Sequence, residues 1–352
     1  MINIIIVLRK SLIQTHCSFP HSIFSRINEP FDFLKEKKLI SYSLVDEQEI
    51  TLQKNSCDLI IFSKHVSDVS VCIAESAKQL GIKIIYDLDD LILNFPKYST
   101  MHLTETQKIN FYHHMTLANI VTISTPYLQK VIKKYIDRET HCIFNGFNLE
   151  RHYNPQQHSD TFCNPLKIVY TNADKLKLHT FRNGFFDTIN RFLNKNNECV
   201  LEVISDHEED PKKFSRFHYL GAMNWFEHKK LLMNANYYLG IVPLGAEEDD
   251  AEFEFNACKS NIKYLEYGGL KIAGIYSKNP VYTEVIENRY NGLLVENTEE
   301  AWTAALEELF QNKQLHRTIV ENAHRDVKEN HSVSKSSKLW MEVFQKVMES
   351  GH

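Results

Sequence analysis

The chain has 352 residues, and none of its apolar runs approaches the roughly 18 residues that suggest a membrane-spanning helix. It has no basic surplus: 40 Lys and Arg stand against 45 Asp and Glu, a formal net charge of −5 with 17 His counted neutral. Nucleic-acid binders are usually basic, so that class is not expected, although protonated His would shift the balance in mildly acidic conditions. Cysteine supplies no motif. The seven residues (Cys17, Cys57, Cys72, Cys142, Cys163, Cys199 and Cys258) are odd in number, and no pair has the two-residue spacing of zinc or redox sites. Free thiols in a reducing compartment are the simplest expectation. No basic segment precedes the first apolar run, Ile2 to Leu8, and no small-residue cleavage site follows it, so it reads as a buried strand rather than a signal peptide. Low-complexity tracts and short internal repeats are absent too.

What remains is an ordinary globular composition, 43% apolar and 24% charged. The length suggests about two domains of roughly 150 residues, enough to bury about three quarters of the unfolded surface. Apolar runs alternate with longer helical patterns. Strands are expected at 2–8, 40–45, 58–62, 82–86, 120–123 and 141–143, with helices at 68–80, 105–118 and 127–136. A second series of strands follows at 167–170, 200–204, 217–220, 237–242, 271–275 and 292–295. Its helices are expected at 180–193, 225–235, 261–267 and 299–310, and Asn224 with Glu227 forms a candidate capping box. Strands separated by helices read as βαβ units in parallel sheets. A turn at Asn145–Asn148 and the polar, aperiodic residues 154–160 suggest a linker. The expected fold class is α/β, two doubly wound Rossmann-like domains facing across a cleft, over 1–150 and 151–330. The amphipathic 315–348 region reads as a helical tail, with 331–352 packing back on the first domain.

The segment from Cys258 to Ile275 carries the most chemistry. It reads as a short helix broken at Gly268-Gly269 and feeding a strand, with Ser260 as N-cap. That start leaves the amides of Asn261, Ile262 and Lys263 free for a phosphate. Lys259, Lys263 and Glu266 share one face by their spacing, and Ile262 and Leu265 point to a core. Cations, free amides and one carboxylate suit a nucleoside diphosphate, with the carboxylate taking the ribose hydroxyls. A solvated i,i+3 pair of Lys263 and Glu266 is the plainer reading, but the apolar strand that follows argues that Glu266 is not in open water.

Several segments in fixed order carry a resemblance: Phe217-His218-Tyr219-Leu220-Gly221, residues 237–243, 259–267, and Asn291-Gly292-Leu293-Leu294-Val295, led by Asn145-Gly146-Phe147-Asn148-Leu149-Glu150. Over roughly residues 80 to 330 the chain resembles glycosyltransferases of the GT-B fold, nearest family 4. The resemblance implies that Glu266, as the second Glu of a Glu-x7-Glu motif, binds the donor ribose. The first Glu falls on Cys258, and Glu254 lies four residues out of register. It also implies that Lys175 and Lys177, after the first strand of the second half, meet the diphosphate, while Asn172 and the backbone near Ala222-Met223 meet the donor base. The glycine and arginine usual in that loop are absent. The expected donor-binding set is therefore Asn172, Lys175, Lys177, Lys259, Ser260, Asn261, Lys263 and Glu266.

Asp87-Leu88-Asp89-Asp90 closes the strand expected at 82–86, and alternation places Asp87 and Asp89 on one side. It resembles a DLDD-like segment that lines the acceptor side in part of the same group, so Asp87, Asp89 and Asp90 are the candidate catalytic carboxylates. A turn whose Asp side chains bond local amides is the alternative. A metal-binding Asp-x-Asp is disfavoured because the nucleotide pattern lies on the other domain; no metal is expected. Residues 247–254 form an acidic loop, either solvated or a flap.

The reading implied is a metal-independent, hexosyltransferase-type glycosyltransferase with retention of configuration. It would move a sugar from a nucleotide-diphosphate donor to a hydroxyl of a glycan or lipid-linked glycan, in surface polysaccharide biosynthesis. The nucleotide sugar is a co-substrate, so no cofactor is expected. Expected partners are the nucleotide sugar and the acceptor glycan, and not nucleic acid. The expected location is cytoplasmic, with peripheral contact at the inner membrane face kept as an expectation although no basic amphipathic patch stands out. A nucleotide-sugar epimerase of the same fold and a non-catalytic sugar-nucleotide-binding protein are the alternatives.

Overall fold

The computed structural model describes all residues except 10–22, 98, 100–101, 156–161, 163, 172–184, 206–215, 245–249 and 350–352. The chain divides into two compact units. The first comprises Met1–Gly146, Ala257–Ser260 and His331–His352; the second comprises Phe147–Asn256 and Asn261–Asn330.

The first unit is built on six parallel strands: β1 (Ile2–Leu8), β2 (Ile40–Asp46), β3 (Leu59–Ser63), β4 (Lys83–Leu88), β5 (Ile120–Ile123) and β6 (Thr140–Cys142). Their order is β2-β1-β3-β4-β5-β6. The strands are rich in Ile and Val because a parallel sheet is covered on both faces; Ile4, Ile6, Ile60, Ile61, Ile85 and Val121 are all buried. Helices start where the sequence offers caps. Ser67 accepts the Ser70 amide at the head of Asp68–Gln79, and Thr104 with Gln107 closes a capping box on Glu105–Leu117. The C-terminal helix Val333–Glu349 lies on helix Glu29–Glu36, with the Trp340 and Phe344 rings 5.2 and 5.4 Å from Phe31. The expected helical tail consists of two helices, Lys313–Asn330 and Val333–Glu349, separated at His331-Ser332.

The second unit carries β7 (Leu166–Thr171), β8 (Cys199–Ile204), β9 (Phe217–Tyr219), β10 (Leu239–Val242), β11 (Ala273–Ser277) and β12 (Leu293–Val295). The order is β12-β11-β10-β7-β8-β9, all parallel. This is the doubly wound 3-2-1-4-5-6 order, whose direction reverses between β7 and β10. Helix Phe185–Lys195 covers one face beside Glu299–Gln311, where the Phe185 and Trp302 rings meet edge to face at 5.1 Å. The capping box of Asn224 and Glu227 heads helix Trp225–Asn234. Among the described residues no helix is long and apolar enough to cross a membrane.

Three sequence expectations change around residue 260. Helix Ile262–Gly269 begins after Asn261, not at Ser260, and Asn261 makes no side-chain cap bond. The Asn261 carbonyl takes the amides of Tyr264 and Leu265 instead. Cys258 is fully buried among core residues of the first unit such as Val7, Ile60 and Ala74, so tertiary burial rather than capping sets where the helix starts. The glycines do not break the helix either. Gly268 and Gly269 are its last two residues, and the chain turns beyond them at Leu270 and Lys271, the latter at φ 56°. They are glycine for space: a Cβ on Gly269 would lie 2.4 Å from the Phe147 ring, and one on Gly268 2.9 Å from Val327. Finally, the expected acidic loop contains a helix, Asp250–Ala257, in which buried Phe255 and Ala257 supply the apolar residues that a run of charges concealed.

The Gly269 contact gives a stability prediction. Phe147 is buried and its ring cannot withdraw freely, so Gly269→Ala should destabilise the protein by about 1–3 kcal/mol. Urea unfolding measures this; an unchanged midpoint would mean that the ring adapts without cost.

Candidate functional site

In a parallel α/β unit a helix that precedes a strand begins at the edge where strands end. Helix Ile262–Gly269 leads into β11, so its first turn lies at the C-terminal edge of the second sheet, where doubly wound folds hold ligands. The helix is buried nearly all round: Tyr264, Leu265, Glu266 and Tyr267 are each inside. Tyr267 packs against β10, where a Cβ on Gly240 would come within 2.3 Å of its ring.

Glu266 is 3% exposed. Its Oε1 takes the Lys229 ammonium at 3.0 Å, with His228 Nδ1 at 3.9 Å, and its Oε2 takes Lys263 at 3.0 Å. Burial alone would push this carboxyl up, but Lys229, Lys263 and His228 outweigh it and hold the group well below the usual carboxylate range. Lys229 is itself buried. Its ammonium sits 4.8 Å from the Phe147 ring centre and 5.6 Å from that of Trp225, a cation–π setting that replaces part of its lost hydration. Phe147, Trp225, Lys229 and Glu266 thus form one continuous cluster inside the second unit.

The donor-binding expectations divide accordingly. Lys263 and Glu266 are brought together, 3.0 Å apart. Asn261 is buried at the helix start. Lys259 precedes the helix in a bend, so it does not share a helical face with Lys263 and Glu266, and with Ser260 it belongs to the first unit. Asn172, Lys175 and Lys177 lie outside the described residues.

In the first unit the three expected carboxylates diverge. Asp87 is fully buried on β4; its oxygens take Arg26 (2.7 Å to Nη2 and 3.2 Å to Nε) and the Thr122 hydroxyl at 2.6 Å. Arg26 also donates to the Ile143 carbonyl and, at 3.3 Å, to Asn145, and its guanidinium stands 5.4 Å from the Trp340 ring centre. Asp87 is therefore the counter-ion of an internal arginine, with both of its oxygens engaged. Asp89 and Asp90 lie beyond the end of β4, where strand alternation no longer applies, and both meet Lys64, at 2.5 and 3.2 Å. Lys64 follows β3 directly, at φ 55°, a left-handed conformation uncommon for a side-chain-bearing residue. Burial opposes its charge, but Asp89 and Asp90 raise its pKa above the usual lysine value. Arg9 follows β1, the strand next to β3, so the described ends of β1, β3 and β4 carry two cations and two carboxylates at the edge where this sheet reverses order. Among the described residues no group of three or more His, Cys, Asp or Glu could hold a metal ion.

Lys229, Lys64 and Arg26 were not among the sequence candidates. One signal existed for Lys229: Trp225, His228, Lys229 and Leu232 follow the i, i+3, i+4, i+7 stripe of an inward face, and all four are buried. Arg26 and Lys64 carry no such pattern.

No protein-family model matches the sequence, and no curated protein matches it. Solved structures do match. The chain is similar to HepE of Anabaena in complex with UDP-glucose, with a TM-score of 0.69 at 14% identity over 98% of this chain and 100% of that one. It is similar to sucrose-phosphate synthase of Thermosynechococcus elongatus, with a TM-score of 0.71 at 11% identity over 100% of both chains. A Listeria monocytogenes protein assigned as a UDP-N-acetylglucosamine 2-epimerase matches with a TM-score of 0.59 at 10% identity over 100% of this chain and 98% of its own. With its two doubly wound parallel sheets, the chain has the GT-B fold.

The internal position of Asp87 is directly testable. Arg26→Met would leave its carboxylate without a cation in the interior, and removing one partner of a buried pair costs about 3–5 kcal/mol. A loss below about 1 kcal/mol in urea unfolding, the ordinary range of an exposed pair, would show that the pair is not internal.

Proposed function

We propose that the protein is a glycosyltransferase that takes a sugar from a nucleotide-diphosphate donor and passes it to a hydroxyl of a glycan or lipid-linked glycan acceptor. The observation that carries this reading is Glu266, a buried carboxylate kept ionised by Lys229 and Lys263 at the ligand-holding edge of a doubly wound unit. A charged carboxylate is the natural acceptor for vicinal ribose hydroxyls, and lysines are point charges suited to phosphate. Lys263 is the described candidate for the diphosphate, and Lys175 and Lys177 are proposed to join it. Positive charge there stabilises the departing diphosphate, and no metal is then needed for that role. Retention of configuration belongs to the same proposal: the leaving diphosphate takes the acceptor proton, and the protein supplies positioning rather than a strong base. HepE, whose structure holds UDP-glucose, supports a nucleotide-sugar donor by likeness of fold.

On the acceptor side we assign Asp89 and Asp90, with Lys64 between them, to the acceptor hydroxyl. The setting we propose is the cytoplasm, in synthesis of a surface polysaccharide, with contact at the inner membrane face through a lipid-linked acceptor. The likeness to an epimerase favours one second reading, isomerisation of a nucleotide sugar with no acceptor.

Calorimetric titration with UDP, GDP, ADP and CDP tests the donor side. One of them should bind, and Glu266→Gln should weaken it by about 1.5–3 kcal/mol, the worth of a hydrogen bond to a charged group. Gln keeps the volume of Glu and an oxygen that still accepts from Lys229, whereas Ala would leave a cavity and no acceptor beside that lysine and confuse folding with binding. Absence of binding by all four sinks the proposal, and conversion of donor sugar without acceptor would favour the epimerase. Asp89→Asn should reduce transfer at least tenfold while leaving nucleotide affinity unchanged; a loss of affinity instead would move this carboxylate to the donor side.

A further inference from the structure

The two lysines on Glu266 occupy unlike surroundings. The Lys229 side chain is 4% exposed and enclosed between Phe147 and Trp225, so its ammonium cannot leave Oε1 without entering an apolar cage. The Lys263 side chain is 23% exposed and reaches Oε2 from three residues earlier on the same helix. Its long, flexible stem opens to water, and an i,i+3 pair of this kind is weakly held. Both carboxylate oxygens are occupied and Glu266 is almost wholly enclosed, so a diol can approach only where an ammonium withdraws. Of the two, only Lys263 can do so.

We propose that Lys263 is an exchangeable counter-ion of Glu266, which gives up Oε2 to the ribose of an incoming nucleoside diphosphate and moves onto its phosphates, while Lys229 stays as the fixed residue that positions the carboxylate. The proposal rests on the donor reading above and adds to it a specificity device. A nucleoside without phosphates must break the Lys263–Glu266 pair and offers the displaced ammonium no new anion. A nucleoside diphosphate offers one. The pair therefore excludes bare nucleosides while the diphosphate opens the site. The charged and titratable groups around Glu266 (His228, Lys229, Lys263, Tyr267 and Tyr282) include no second exposed cation among the described residues that could play the part of Lys263.

The test compares the preferred nucleoside diphosphate with its parent nucleoside, by calorimetry for the first and ligand-observed NMR for the second, on wild type, Lys263→Met and Lys229→Met. Melting curves establish that each variant is folded. Lys263→Met should bind the diphosphate about tenfold more weakly and the nucleoside about three- to tenfold more tightly, so that the discrimination between them collapses. Lys229→Met should weaken both ligands alike, because the carboxylate itself loses its fixed position. A nucleoside affinity unchanged or lower in Lys263→Met overturns the exchange, since Lys263 is then only a phosphate contact. A tightened nucleoside in Lys229→Met overturns the division of labour. If wild type binds no nucleoside diphosphate at all, it is the donor reading that fails.

Discussion

An ionised carboxylate inside a protein must have a cation beside it, and much of the second unit follows from that requirement at Glu266. The cation is Lys229, which must itself leave water, and the rings of Phe147 and Trp225 receive it. Phe147 can lie there because Gly269, three residues after Glu266, has no side chain to hold its ring away. Tyr267, next to Glu266, lies on Gly240 for the same kind of reason. Charge thus dictates the aromatics, and the aromatics dictate the glycines. The first unit meets the same requirement at Asp87 with a different solution: a guanidinium fork rather than a point charge, with the Thr122 hydroxyl and the Asn145 amide completing the set. Neither pair is evidence of high stability, because the desolvation of two charges offsets most of their attraction. What each supplies is a fixed geometry.

Strands and fold were legible in the sequence because they depend on bulk patterning. The Ile and Val runs of β1, β3 and β5 have few alternatives in a chain where helices separate them, and caps such as Asn224 with Glu227 act locally. Helix Ile262–Gly269 was legible in existence but not in detail. Its start was misplaced because Ser260 and Asn261 are equally good caps in isolation, and the burial of Cys258 is a tertiary fact with no local sign. Its glycines were misread as a stop because glycine signals both a turn and a close approach, and only the partner ring decides between them.

The site was half legible for a related reason. Glu266 and Lys263 lie three residues apart, so helical spacing pairs them. Lys229 comes from another helix, and a lysine in a polar-looking stretch reads as surface unless the stripe through Trp225 and Leu232 is followed strictly. Asp87 and Asp89 show the opposite failure. They look equivalent in sequence and both are buried, but Asp87 lies inside the strand and pairs with Arg26, whereas Asp89 lies just beyond it and pairs with Lys64.

The short excursion Ala257–Ser260 has a practical side. Residues on both sides of it belong to the second unit, while Cys258 belongs to the core of the first. Neither half of this protein is therefore a continuous stretch of chain. A piece cut at residues 147 and 330 to isolate the second unit would carry, in its middle, Ala257 and Cys258 deprived of the core that buries them. Dissection of this fold into separately expressed halves would have to rewrite four residues as well as choose two ends.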